Sequence, residues 1–151
     1  MLKLSKKIDY GLILLSRMCM EPAPESAREM AERYNLPQPM VANILKALSG
    51  AGMLASTRGV LGGYELARPA REISLAEIVE ALEGPFSLVD CVADGDNCRF
   101  TSICPTHDPI QAVHHQFQNF MSRLSLAEIV GMPQEPFQFG TGSNENTNIY
   151  G

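Results

Sequence analysis

The sequence predicts a mainly α fold with one small β-hairpin, followed by a long helix and a polar tail. Three observations carry this. Apolar residues recur at helical spacing in several segments. Pro, Gly and Asn break those segments at short intervals. One Gly-rich turn, Arg58 to Gly63, is flanked by two short β-prone runs. With 151 residues, 45% hydrophobic and 19% charged, the chain reads as globular, one domain with additions.

The elements follow in order. Leu4, Ile8, Leu12, Leu15 and Cys19 mark one face of a first helix over 4–20, and Glu21-Pro22-Ala23-Pro24 ends it. Ser26 is placed to cap a second helix, and Glu29 completes a capping box. Asn35-Leu36-Pro37 makes a tight turn. Pro39 suits the first turn of a third helix over 39–50, with Val41, Ile44, Leu45 and Leu48 inward and Gly50 or Gly52 as its stop. Two strands follow, Met53–Thr57 and Tyr64–Ala67, joined by the Gly-rich turn. A helix-turn-helix followed by a hairpin is a winged helix-turn-helix.

Ser74 and Glu77 form a second capping box, opening a helix that Gly84-Pro85 stops. Residues 87–108 show no clear period. A long helix over 109–131 carries Ile110, Val113, Phe117, Phe120, Met121 and Leu124 on one face, and a third capping box begins at Ser125. This divides the chain into a winged helix (1–84), a cysteine-bearing loop (85–108), a long dimerisation helix (109–131) and a disordered tail (132–151). The long apolar stripe exceeds what one small domain covers, so a homodimer is expected. His114 and His115 read as surface or interface residues, and Cys19 as a packed thiol.

The longest apolar run, Gly11 to Leu15, is too short to span a bilayer, and no leader cleavage site is evident. A cytoplasmic protein without a membrane partner is expected. The net charge is −5 but unevenly spread: residues 1–71 balance to +4 and residues 72–151 to −9. The first half is therefore the candidate for meeting phosphates. Gln38 and Asn43 carry amides suited to base edges, and Lys46 suits a phosphate, although on the helix alone they equally describe a solvated face. On the wing, Arg58 can reach a phosphate or the minor groove. Gly59 permits close approach, and Ser56, Thr57 and Tyr64 offer hydroxyls. The implied partner is a double-stranded DNA operator.

Cys91, Cys98 and Cys104 are followed closely by His107. Thiolates with one imidazole can hold an iron–sulfur cluster or a structural zinc, and the spacing alone leaves the two about equal. Cys104 and His107 as an enzymatic nucleophile and base lack a substrate pocket or oxyanion site, so no enzyme is expected.

The run Arg58-Gly59-Val60-Leu61-Gly62-Gly63-Tyr64-Glu65-Leu66-Ala67-Arg68 resembles the wing of the iron–sulfur cluster regulator (IscR) family, which includes NsrR and regulators of the SUF assembly operon. Leu4-Ser5-Lys6, Asp9-Tyr10-Gly11, Leu36-Pro37 and Ile73-Ser74-Leu75 also match. The resemblance covers residues 1 to about 125. It implies an iron–sulfur-sensing transcription regulator, a repressor of cluster-assembly genes, with ligands Cys91, Cys98 and Cys104. The fourth ligand would be His107, as in IscR-like members, or Asp9 from the partner subunit, as in NsrR-like members. His107 favours a 2Fe–2S over a 4Fe–4S cluster. The alternative is a cluster-free, zinc- or thiol-sensing regulator of the same fold.

Overall fold

The computed structural model describes residues 4–89 and 98–131. Helix α1 (Lys6–Met20) is capped by the Ser5 hydroxyl, which accepts from the Ile8 N–H. Helix α2 (Ala27–Tyr34) has the expected Ser26–Glu29 capping box. It ends at Asn35, whose left-handed φ of 51° lets Leu36 N–H reach back to Ala31 C=O. Pro37 then caps α3 (Gln38–Gly50), with proline again in its first turn. Paired bonds from Gly52 N–H to Ser49 C=O and from Met53 N–H to Leu48 C=O close α3, and Leu48 and Met53 are both buried there.

Strands β1 (Leu54–Thr57) and β2 (Gly63–Leu66) pair antiparallel, Leu54 opposite Leu66 and Thr57 opposite Gly63. A short 3-10 turn, Ala70–Glu72, leads to α4 (Leu75–Glu83), capped by Ser74 and Glu77. α5 runs from His107 to Arg123 and α6 from Leu126 to Gly131. The long helix expected from Pro109 begins two residues early, and the extra turn that the Ser125 capping box offers is the separate helix α6. Pro109 tolerates this because a proline within the first turn forfeits no intrahelical bond. The Ser125–Glu128 capping box restarts the chain after Leu124.

One core joins these elements: Leu14, Leu15, Met30, Val41, Ile44, Leu45, Leu48, Met53, Ile73, Ile78 and Leu126 are its fully buried members. The inward face of α1 is Ile8, Gly11, Leu14, Leu15 and Met18, turned from the expected stripe: Leu4 is exposed, and Leu12 and Cys19 are half-buried. α1 packs against α3, α4 and α6 at once, so its buried arc is wider than one stripe. Ser74 and Ser125 form an isolated antiparallel bridge, with Leu75 N–H to Leu124 C=O at 2.8 Å and Leu126 N–H to Ile73 C=O at 2.7 Å. This clasp fixes the end of α5 to the start of α4. On α5, Met121 is buried while Val113 and Phe117 remain exposed.

Candidate nucleic-acid interface and cysteine site

The helix-turn-helix is positioned by the two helix ends at its turn. Val41, Ile44, Leu45 and Leu48 seat α3 in the core, which leaves Gln38, Asn43 and Lys46 exposed on its opposite side. The wing is tied to this body by more than its own ladder. Glu25 N–H donates to Tyr64 C=O (3.2 Å), and Tyr64 N–H to Glu25 C=O (2.9 Å), adding a one-residue third strand. Gly63 makes that approach possible, since a Cβ there would lie 2.5 Å from the Glu25 backbone. The Glu25 carboxylate also pairs with Arg17 at 3.3 Å and Arg33 at 2.8 Å, so one residue links α1, α2 and β2.

Ser56, Thr57, Arg58 and Gly59 are exposed, and Gly59 (φ 119°) opens the turn that Gly62 N–H closes onto its carbonyl at 3.0 Å. Tyr64 differs from these: it is half-buried and packed against the core. Arg17, Arg28, Arg33, Arg68 and Arg71 each pair with a carboxylate, whereas Lys46 and Arg58, like Lys6, Lys7, Arg99 and Arg123 elsewhere, pair with none among the described residues. Unneutralised cations on the reading helix and wing suit phosphate contacts.

A signal that the sequence reading missed supports this. From Arg33 to Tyr64 the chain contains no Asp or Glu, although its net charge is −5. The acid-free stretch covers the turn, α3 and the wing up to Tyr64.

Cys91 lies outside the described residues. Cys98 is half-buried, and its carbonyl accepts from the Thr101 N–H and hydroxyl. Successive turns carry the chain to Cys104, whose carbonyl takes the His107 N–H at the head of α5. The Cys104 thiol is held below its ordinary value by the Thr106 hydroxyl, then by the Thr106 and His107 backbone. That favours the thiolate, the ligating form. His107 Nε2 lies 3.2 Å from the Gln111 amide nitrogen, a donor, so Nε2 accepts there. Nδ1 then carries the proton and donates to Asp108 at 2.9 Å. A carboxylate on Nδ1 that fixes the lone pair on Nε2 is the tautomer a ligating imidazole needs, although here that lone pair is taken by Gln111.

This donor set fits an iron–sulfur cluster chemically. Among the described residues, however, no three His, Cys, Asp or Glu side chains are grouped closely enough to hold a metal ion. Asp9 is exposed in the first turn of α1.

His114 departs from expectation. It is 4% exposed, stacked on Phe86 at 5.7 Å, and its Nδ1 has no hydrogen-bond partner among the described residues. Its neighbour His115 is exposed, as expected. Phe86 also stacks on Phe117, which anchors the start of the cysteine segment to α5.

Comparison with known proteins agrees with the fold. The Rrf2 family model, described as iron-dependent transcriptional regulator, matches residues 4–132. A Synechocystis protein named as an HTH-type transcriptional regulator is 32% identical over 130 residues, covering 85% of this chain and 87% of that protein. Among solved structures, CymR, the global cysteine regulator of B. subtilis, superposes with a TM-score of 0.68 at 25% identity, covering 86% of this chain and 97% of that one. T. potens IscR superposes at 0.63 with 26% identity, covering 89% and 94%.

Proposed function

The chain belongs to the Rrf2 family of DNA-binding transcriptional regulators and is not an enzyme; from that premise we propose that it is a homodimeric, cytoplasmic, iron–sulfur-sensing repressor of cluster-assembly genes. Its ligands are Cys91, Cys98, Cys104 and His107, with Asp9 of the partner subunit as the rival fourth ligand, and the cluster is 2Fe–2S rather than 4Fe–4S. The observation that carries this reading is the head of α5. There Cys104 and His107 stand one turn apart, and Asp108 on Nδ1 keeps the lone pair on Nε2, where it now accepts from Gln111 and would be given to the cluster instead.

An iron–sulfur cluster supplies a thiolate-bound centre that responds to iron supply and oxidation. The chain's own residues supply the path to DNA. Lys7 Nζ donates to the Leu82 carbonyl and Ser5 to Glu83, so the end of α4, where the cysteine segment departs, is tied to α1. α1 packs on α3. In this reading Gln38 and Asn43 contact bases, and Lys46, Ser56, Thr57, Arg58, Gly59 and Tyr64 contact the backbone or minor groove. Among the described residues no helix is long and apolar enough to cross a membrane. Thiol sensing without a cluster is the second reading, favoured by the depressed Cys104 thiol and by the likeness to CymR.

Protein purified without air tests both readings. The proposal expects visible absorption with iron and acid-labile sulfide in equal amounts, lost on His107→Ala and kept on Asp9→Ala. The reverse pattern moves the fourth ligand to Asp9. A colourless, iron-free protein that still binds DNA supports the second reading.

A further inference from the structure

The wing is a hairpin of two short strands, a unit that is marginal in water by itself. Its base is seated by buried Leu54 and by Ala67 N–H donating to Met53 C=O at 2.9 Å. The Glu25–Tyr64 bridge braces it further out, because Tyr64 stands opposite Ser56, two residues beyond the Leu54–Leu66 pair. A brace works only if it is itself fixed. The Glu25 carboxylate is held from two sides: Oε2 accepts from Arg17 Nε at 3.3 Å and Oε1 from Arg33 Nε at 2.8 Å. The Glu25 side chain is 13% exposed and that of Arg17 17%, so salt screens this node less than a surface pair. Arg17 lies in the last turn of α1 and Arg33 in that of α2, and both helices pack against α3. Through one carboxylate the wing therefore takes its position from the helices that seat the reading helix.

We propose that Glu25 is a positioning residue for DNA binding: clamped between Arg17 and Arg33, it sets where the wing stands relative to α3, so that Arg58 meets the DNA backbone while α3 reads bases. The proposal rests on the DNA-binding reading and adds to it a residue that touches no DNA. Its sign runs against plain electrostatics. Glu25 is an acid in residues 1–71, which balance to +4, and removing a carboxylate there should by charge alone strengthen binding to phosphates. A positioning role predicts the opposite. In Glu25→Gln the amide nitrogen cannot accept a hydrogen bond, so one guanidinium is released while the backbone atoms that bridge to Tyr64 are kept. The brace then loosens, and the Arg58 contact is lost although no cation has been removed.

The test uses the full chain and a duplex enriched by the wild-type protein from random-sequence DNA. Binding is measured across a salt series, below the melting temperature of each variant, with the active fraction set by stoichiometric titration. Arg58→Ala should weaken binding about tenfold and lower the salt slope by about 1. Glu25→Gln should weaken it about fivefold and lower the slope in the same direction. The double variant should lose about tenfold, whereas independent effects would multiply to about fiftyfold. Combined with Lys46→Ala on α3, Glu25→Gln should multiply in full. Gly63→Ala reaches the same brace without touching charge, because its Cβ would press on the Glu25 backbone, and it should show the same overlap with Arg58→Ala. Glu25→Gln that binds as tightly as wild type, or more tightly, overturns the proposal. So does a loss that keeps the wild-type slope and multiplies with Arg58→Ala, which is the mark of general destabilisation. Arg58→Ala with wild-type affinity and slope removes the wing contact and the proposal with it. A wild-type chain that enriches no sequence overturns the DNA-binding reading itself.

Discussion

The hexapeptide Ser-Leu-Ala-Glu-Ile-Val occurs twice, at 74–79 and 125–130, and the two copies share their local structure but not their burial. Each opens a helix with the same capping box: the serine N–H donates to the glutamate at 2.8 Å, and the glutamate N–H to the serine hydroxyl at 3.2 Å. The two caps also face each other across the Ser74–Ser125 bridge. Beyond the cap they diverge. In the first copy Ile78 and Val79 are buried and Leu75 is half-buried. In the second, Leu126 is buried and Ile129 and Val130 are half-buried. α4 packs against α1, α3 and α5, whereas α6 packs against α1 and the 3-10 turn. Capping is thus decided within four residues, while which face goes inward is decided by the neighbours.

The largest test of this contrast is truncation at matched positions. Leu126→Ala and Ile78→Ala should each cost about 2–5 kcal/mol, because both side chains are fully buried. Their counterparts Leu75→Ala and Ile129→Ala should cost clearly less, so the order of sensitivity inverts between copies. Urea unfolding curves measure all four, and equal costs within each pair would break the comparison. Next in size are the caps. Ser74→Ala and Ser125→Ala should cost similar amounts, about 1 kcal/mol each, in the same assay. A large difference would show that the bridge, rather than the local cap, sets their worth.

The smallest effect is in acid. Burial pushes the Glu77 carboxyl up, but the Ser74 N–H, Arg68 and the Ser74 hydroxyl outweigh it and hold the group below the ordinary 4.5. Glu128 is lowered by the Ser125 N–H and hydroxyl, against a weaker opposing burial. A carboxylate lowered on folding contributes stability above its unfolded value and loses it as pH falls through the folded one. Both therefore stabilise at neutral pH and begin to lose that contribution as pH falls below about 4.5. Glu77→Gln should flatten the acid arm of the stability–pH curve more than Glu128→Gln, since only Glu77 also holds Arg68 at 2.6 Å.

The same division governs what could be read from sequence. The three capping boxes, the Asn35 turn, the stop after α3 and the Gly-rich hairpin are local, and each stands close to where its residues place it. Long-range features were not legible. The α1 stripe was misplaced because three helices cover that helix. The Glu25 strand has no signature, since one residue bridges across to Tyr64. His114 reads as a surface or interface residue because its partner, Phe86, lies across the cysteine segment. At the site, the exposed positions on α3 and the wing tip followed from periodicity and turn chemistry. The relation of Cys98 and Cys104 to the rest of the proposed ligand set did not, since it depends on a segment without a period, and Cys91 lies outside the described residues.

The Ser74–Ser125 clasp has a topological consequence. It pins the two ends of residues 75–124 together, so α4, the cysteine segment and α5 form a closed loop anchored on the body that carries the reading helix and wing. Closing that loop costs chain entropy once, at the clasp and the α4–α5 packing, and rearrangement inside it does not reopen it. A single backbone cut after the exposed Arg99 would leave both pieces in one particle, because Met121 and Leu126 on one side of the cut share a core with Ile73 and Ile78 on the other. Continuity of the chain through the cysteine segment is therefore dispensable for keeping α5 in place, and the segment can vary in length between its two anchors without dismantling the domain.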